Sequence, residues 1–332
     1  RGIAPTALVG HSVGEFAAAA LAGVMSVEDG LRLVARRGAL MQAQPAGAML
    51  AVRAPLEALA PHLGAGLDLA ATNAPAAQVV AGRPDAIAAL AARLEAEGLP
   101  ATRLHTSHAF HSAMMDAVVE PLRDEIAGMT LDAPRLPLAS SVTGAWMTDD
   151  EARDPAFWAG QARACVNFAG ALRAACEGAS PALVEGGPGA ALSAFAAGPL
   201  GRGGHGGVSQ ALPDHTQPIS DVDAMASACA SLWQAGVPLD WSVAGARARR
   251  VSLPGTVFRR RRHWIDPPEA VSAAAEARRG PASGRPGGAD RATRLEGDLA
   301  RVLSRLTGEE LDPEAAESTF LERGCDSLLL AE

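Results

Sequence analysis

The chain has 332 residues, 48% of them hydrophobic and 20% charged, with a formal net charge of −8. That length suits one large domain plus something smaller, and the composition is that of a globular chain rather than a disordered one. The acidic balance argues against a nucleic-acid or membrane-surface partner; with no apolar run of membrane-spanning length and no opening signal segment, a cytoplasmic location is expected.

The apolar run Ala7, Leu8, Val9 predicts a buried strand, and Phe16 to Leu21 an alanine-rich helix. Between them lies GHSVGEF, Gly10 to Phe16. Strand, sharp turn and helix make the pattern of a nucleophile elbow, in which Ser12 is strained and the small Gly10 and Gly14 let strand and helix approach closely. The hydroxyl then stands at a helix N-terminus, where the dipole and the Val13 amide stabilise an oxyanion. Taken alone, GxSxG fits a purely structural turn equally well.

Ser26 with Asp29 predicts a capped helix with apolar positions Val27, Leu31, Val34, Gly38 and Met41. Residues 45–107 then run strand, helix, strand, strand, helix, strand, the order of a ferredoxin-like unit, here inserted into a larger α/β domain. The larger domain resumes with a helix over 114–126, a strand over 138–142, one helix over 157–176 and a strand over 182–185.

Residues 1–240 are assigned to that domain and 241–266 to a linker ending in the basic, extended VSLPGTVFRRRRHWID. Residues 267–292, rich in Ala, Gly, Pro, Ser and Arg, read as a flexible linker. From Thr293 a capping box with Glu296 opens an amphipathic helix carrying Leu295, Leu299, Val302 and Leu306, the start of a separate all-α domain over 293–332. There Ser327 follows Asp326 at the head of another predicted helix. Cys165, Cys176, Cys229 and Cys325 lack metal-ligand spacing, so reduced thiols and no metal are expected. The chain opens on Arg1 and closes on Glu332 inside a predicted helix, which predicts a piece of a longer polypeptide.

A nucleophilic serine needs a base, and the segment HTSHAFHSAMMD from His105 offers three histidines. GHSVGEF, the RRGALMQ that holds Arg37, TNAPAAQVVAG, HAFHS, SSVTG, FWAGQARACVNFAGAL and VEGGPG occur in one order that resembles the acyltransferase domain of modular type I polyketide synthases, related to malonyl-CoA:acyl-carrier-protein transacylases. The resemblance implies a hydrolase-like large subdomain with the ferredoxin-like insert, Ser12 as nucleophile, His111 as general base and no aspartate completing a triad. It places the carboxylate-binding arginine at Arg37, where a planar guanidinium grips a malonyl carboxylate bidentately. His11, Val13, His108 and Phe110 fall beside the substrate. HAFH resembles the malonyl-selective form, whereas YASH goes with methylmalonyl, and a bulky Phe110 fills the space of an added methyl, a difference of about 1–3 kcal/mol.

GCDSL, Gly324 to Leu328, resembles the attachment motif of an acyl carrier, which implies covalent phosphopantetheine on Ser327. The expected partners are malonyl-CoA, the carrier domain, and a ketosynthase and other domains of the same megasynthase. The family's GQG-type segment, which completes the oxyanion hole, is not in this sequence. Loss of one such donor costs about a hundred- to a thousandfold in rate, so weak activity is expected of these 332 residues alone. A serine esterase on the same elbow, methylmalonyl transfer and a non-catalytic scaffold remain alternatives.

Overall fold

The structure is a computed structural model that describes residues 2–197, 206–244, 252–255, 297, 298 and 301. Contacts divide the chain into residues 1–249 and 250–332. In the second unit residues 297, 298 and 301 are helical; Ser327, Cys325 and the arginine run 259–262 lie outside the described residues.

β1 (Leu8–Val9) leads into α1 (Gly14–Ala22), and α2 (Val27–Gln42) packs back on α1. Ser26 caps α2 as expected, accepting from the Asp29 amide at 3.0 Å. The inward face differs from the predicted one: Gly30, Leu33, Arg37 and Met41 are buried, while Val27 and Leu31 are exposed. α2 packs on both α1 and α5, and this tertiary packing decides the face it buries; Gly30 faces α1, where an added Cβ would make ordinary van der Waals contact with the Ala20 Cβ at 3.6 Å. The change of face carries Arg37 inward.

The insert follows as β2 (Ala48–Val52), α3 (Leu56–Leu59), β3 (Leu67–Ala74), β4 (Ala77–Gly82), α4 (Pro84–Ala96) and β5 (Ala101–Arg103). Its sheet has the order β3-β4-β2-β5 with every neighbour antiparallel, which is the ferredoxin-like order. The first helix expected in the insert breaks into α3 and a 3-10 turn over Ala60–His62, because Pro61 lacks the amide to continue it. Strand alternation sends Leu50, Val52 and Val80 into a core with Leu59, Ile87, Leu90 and Leu94. The opposite face, with Met49, Val79 and Ala81, packs on Val166, Phe168 and Leu172 and so fastens the insert to the larger body.

The larger body continues with α5 (Asp116–Ala127), β6 (Leu138–Ser140), β7 (Ala145–Trp146), α6 (Asp149–Arg153), α7 (Pro155–Gly160), α8 (Phe168–Cys176), β8 (Leu183–Pro188), α9 (Ala191–Ala197), β9 (Val208–Leu212) and α10 (Asp221–Gln234). β1 runs parallel to β6, which pairs antiparallel with β7; β8 and β9 form a separate parallel pair. Phe16, Leu33, Leu122, Ile126, Leu138 and Trp158 anchor the core. Among the described residues no helix is long and apolar enough to cross a membrane.

The single helix expected over 157–176 is two helices. α7 stops at Gly160, residues 161–167 turn, and Asn167 starts α8 by accepting from the Gly170 amide at 3.0 Å. Val166 leaves the helical path to bridge Ala71 of β3, exchanging backbone bonds with Ala70 and Thr72 at 2.9 and 2.8 Å. The break leaves backbone carbonyls free for other partners.

Gly10 and Gly14 play different parts. A Cβ on Gly10 would lie 2.2 Å from the Glu15 Cα, so β1 and α1 meet there backbone to backbone, whereas a Cβ on Gly14 meets nothing within 4 Å. The expected close approach therefore rests on Gly10. Gly10→Ala is expected to destabilise by about 3 kcal/mol or more, while Gly14→Ala is neutral or slightly stabilising. Chemical unfolding midpoints of the two variants check this; equal midpoints would contradict it.

Candidate active site

Ser12 occupies the turn between β1 and α1 with φ of 51°, a left-handed conformation that a serine rarely adopts. Strain of this kind costs on the order of 1–3 kcal/mol and is held here by the surrounding backbone. The Gly14 and Glu15 amides return to the carbonyls of His11 and Ser12 at 2.9 and 3.0 Å and so close the turn. Among the described residues the Val13 N–H meets no acceptor, which leaves it available at the head of α1.

His111 meets Ser12 from the far end of the HAFH segment, with its Nε2 2.7 Å from the Ser12 Oγ. It too has left-handed backbone, with φ of 56°. Its Nδ1 donates to the carbonyls of Gln161 and Ala164 at 3.1 and 2.9 Å, the groups freed where α7 ends. Two carbonyl acceptors require a proton on Nδ1, which leaves Nε2 as the lone pair that accepts the Ser12 proton. Main-chain carbonyls thus do the orienting that an aspartate does in a Ser-His-Asp triad. Burial, the Arg37 charge and His11 lower the His111 pKa to about 4, so the ring is neutral at physiological pH.

Arg37 enters from α2. Its Nη2 makes long contacts to the Ser12 Oγ at 3.4 Å and the Gln161 Oε1 at 3.5 Å, and its guanidinium carbon lies 5.8 Å from the centre of the Phe16 ring. Its Nε is buried without a hydrogen-bond partner, and among the described residues no carboxylate stands within ion-pair distance. Burial alone lowers its pKa to about 10, so it stays charged. A buried cation with an orphan donor, set against a nucleophile, is a socket for an anion.

Of the other predicted residues, His11 and Val13 flank Ser12 in the turn, whereas His108 and Phe110 make their contacts with other residues. His11 Nε2 donates to the Asn73 Oδ1 at 2.7 Å, tying the elbow to β3, and its ring meets Phe168 edge-on at 5.3 Å. Burial lowers the His11 pKa, partly opposed by Asn73. Val13 is exposed beside the nucleophile. His108 is buried with both ring nitrogens engaged, Nε2 by the Gln44 carbonyl at 3.0 Å and Nδ1 by the Ser107 hydroxyl at 2.8 Å. Phe110, half-buried, packs against the core clusters of both subdomains.

Three further residues hold the site in ways their types do not announce. Glu15, fully buried, accepts from the Ser141 amide at 3.1 Å, the Ser141 hydroxyl at 2.6 Å and the Gln161 Nε2 at 3.2 Å. Burial pushes its carboxyl pKa up, against those donors. Gln161 also donates to the Ser12 carbonyl at 2.7 Å, and Asn73 holds His11. All three lie inside motifs quoted above, yet nothing in residue type alone separates them from surface polar residues.

A strained serine paired with a neutral, carbonyl-oriented histidine defines a serine-nucleophile enzyme of α/β fold. The chain belongs to the acyl transferase domain family, whose description it matches over residues 1–218. It is 36% identical over 341 residues to a component of the phenolphthiocerol/phthiocerol polyketide synthase of Mycobacterium tuberculosis, covering 99% of this chain and 23% of that protein. It is 39% identical over 280 residues to the polyketide synthase GfsA of Streptomyces halstedii, covering 82% of this chain and 4% of that protein. The chain therefore spans under a quarter of these relatives. Among solved structures, the acyltransferase domain of SpnD in complex with 2-(pent-4-yn-1-yl)malonyl superposes with a TM-score of 0.68 at 39% identity, over 71% of this chain and 57% of that one. FabD from Acinetobacter baumannii superposes with a TM-score of 0.58 at 25% identity, over 69% and 74%.

Proposed function

We propose that the chain moves a malonyl unit from malonyl-CoA, through an ester on Ser12, to the phosphopantetheine thiol of an acyl carrier protein within a polyketide synthase. The observation that carries this reading is the unpaired, buried Arg37 guanidinium 3.4 Å from the Ser12 Oγ. An acyl group that brings its own carboxylate fills that socket, and an uncharged acyl group leaves it empty. The substituted malonyl group in the SpnD complex supports a dicarboxylic acyl unit, and the resemblance of HAFH to the malonyl-selective form supports one without an added methyl.

In the first half-reaction the Ser12 Oγ attacks the thioester carbonyl as His111 Nε2 takes its proton. The oxyanion meets the Val13 amide and the N-terminal dipole of α1. The carbon–sulfur bond then breaks, and His111 returns the proton to the departing coenzyme A thiolate. In the second half-reaction His111 takes the proton of an incoming thiol, whose sulfur attacks the malonyl ester, and the Ser12 oxygen leaves with the proton. Phosphopantetheine, attached in this reading at Ser327, supplies the accepting thiol.

Intact-protein mass after exposure to equal malonyl-CoA and methylmalonyl-CoA tests the proposal. The expected result is a malonyl adduct on the wild type and none on Ser12→Ala. A methylmalonyl adduct would overturn the selectivity, and hydrolysis of simple esters outrunning thioester transfer would favour an esterase.

A further inference from the structure

The mechanism leaves one buried acid unused: Glu15, on the first turn of α1, has no solvent contact and no cation within ion-pair distance among the described residues. We infer that Glu15 is a positioning residue that fixes the Arg37 guanidinium by holding the side-chain amide of Gln161 in one orientation. This rests on the reading that Arg37 receives a substrate carboxylate.

The argument is one of donors and acceptors. The Gln161 Nε2 faces two acceptors, the Ser12 carbonyl at 2.7 Å and the Glu15 Oε2 at 3.2 Å. An inverted amide would press its oxygen against both and turn its NH2 toward a guanidinium that only donates. The upright amide therefore presents Oε1 to Arg37, at 3.5 Å. Glu15 is itself fixed by the Ser141 amide and hydroxyl at 3.1 and 2.6 Å, at the end of β6. The chain of contacts runs from the sheet through Glu15 and Gln161 to the arginine.

The interposed amide matters. A carboxylate in direct contact with Arg37 would occupy the socket and compete with substrate. One amide away, Glu15 supplies direction without neutralising the guanidinium, whose remaining restraints are the Ser12 hydroxyl and the Phe16 ring. The geometry thus assigns specificity for carboxylated acyl groups partly to a residue that touches neither substrate nor Arg37.

The test is labelling of Ser12 in the full chain by a fluorophosphonate probe, with malonamate, which carries a carboxylate, or acetamide, which carries none, as protecting ligand. The readout is the ratio of the two half-protecting concentrations. In the wild type malonamate is expected to protect at lower concentration than acetamide. Glu15→Gln is expected to reduce that preference about tenfold, and Gln161→Met to reduce it similarly. Because Glu15 acts through Gln161, the double variant should lose no more than Gln161→Met alone. A merely structural Glu15 would alter labelling with either ligand and leave the ratio unchanged, or would shift the ratio by an amount that adds to the Gln161→Met effect; either result would overturn the proposal. If Glu15→Gln does not fold, Ser141→Ala, which removes one donor to Glu15, should shift the ratio in the same direction by a smaller factor, and no shift would count against the proposal. Equal protection by malonamate and acetamide in the wild type would instead sink the carboxylate socket at Arg37. A ratio above one that Glu15→Gln leaves unchanged would sink the positioning role alone.

Discussion

Replacing His111 by alanine is expected to slow acylation of Ser12 by about 10²–10⁴-fold, the range of a positioned general base, with little change in substrate binding. Rapid-quench mass spectrometry of the acyl-serine gives the rate. The same side chain leaves a signature in stability. Its folded pKa of about 4 lies below the ordinary 6.5, so the native state binds this proton less readily than the unfolded chain. Stability from this group is therefore complete above pH 6.5 and is lost as pH falls toward 4, by roughly 3 kcal/mol. His11, lowered by burial, adds in the same direction, and Glu15, raised by burial, opposes. The difference between wild type and His111→Ala isolates the one histidine: unfolding midpoints of the variant should fall less steeply with acid. Parallel curves would show that His111 is not the neutral, buried base described here.

Arg37 should give opposite signs in activity and stability. In the proposed reading Arg37→Met removes the partner of a desolvated carboxylate, a loss of about 2–5 kcal/mol, so loading from malonyl-CoA should fall roughly 30-fold or more while loading from acetyl-CoA does not fall. The same change takes an unpaired cation out of the interior and is expected to leave the unfolding midpoint unchanged or raised. Arg37→Lys should not restore malonyl preference, since an ammonium cannot offer two parallel donors. Competition between malonyl-CoA and acetyl-CoA, read by adduct mass, measures the preference. Loss of loading with both substrates together would make Arg37 structural rather than selective.

How far the sequence spoke depended on whether the signal was local. The elbow was legible because strand, glycine, serine and helix follow one another, and the insert because its strands and helices alternate in order. Ser220 and Thr148, which cap α10 and α6 by accepting from Asp223 and Glu151 amides, were equally local signals that went unread. The break between α7 and α8 was not legible: 157–176 has a helical pattern, and only pairing of Val166 with distant β3 ends it. The face that α2 turns inward was likewise decided by its packing on α1 and α5. Glu15 and Gln161 were hidden for the same reason. An acid in the first turn of a helix satisfies the dipole wherever it points, and a glutamine within a helical pattern carries no mark of the partners that tertiary structure brings to it.

The two left-handed residues set a direction for change. Ser12 and His111, whose side chains share a hydrogen bond, are the only non-glycine residues with positive φ among those described. Glycine at either position would relax the backbone, so at these sites the more comfortable sequence is the inactive one. The fold therefore carries its chemistry uphill: drift toward stability erodes function first at these two sites, and any copy released from selection for transfer should lose the reactive pair before it loses its shape.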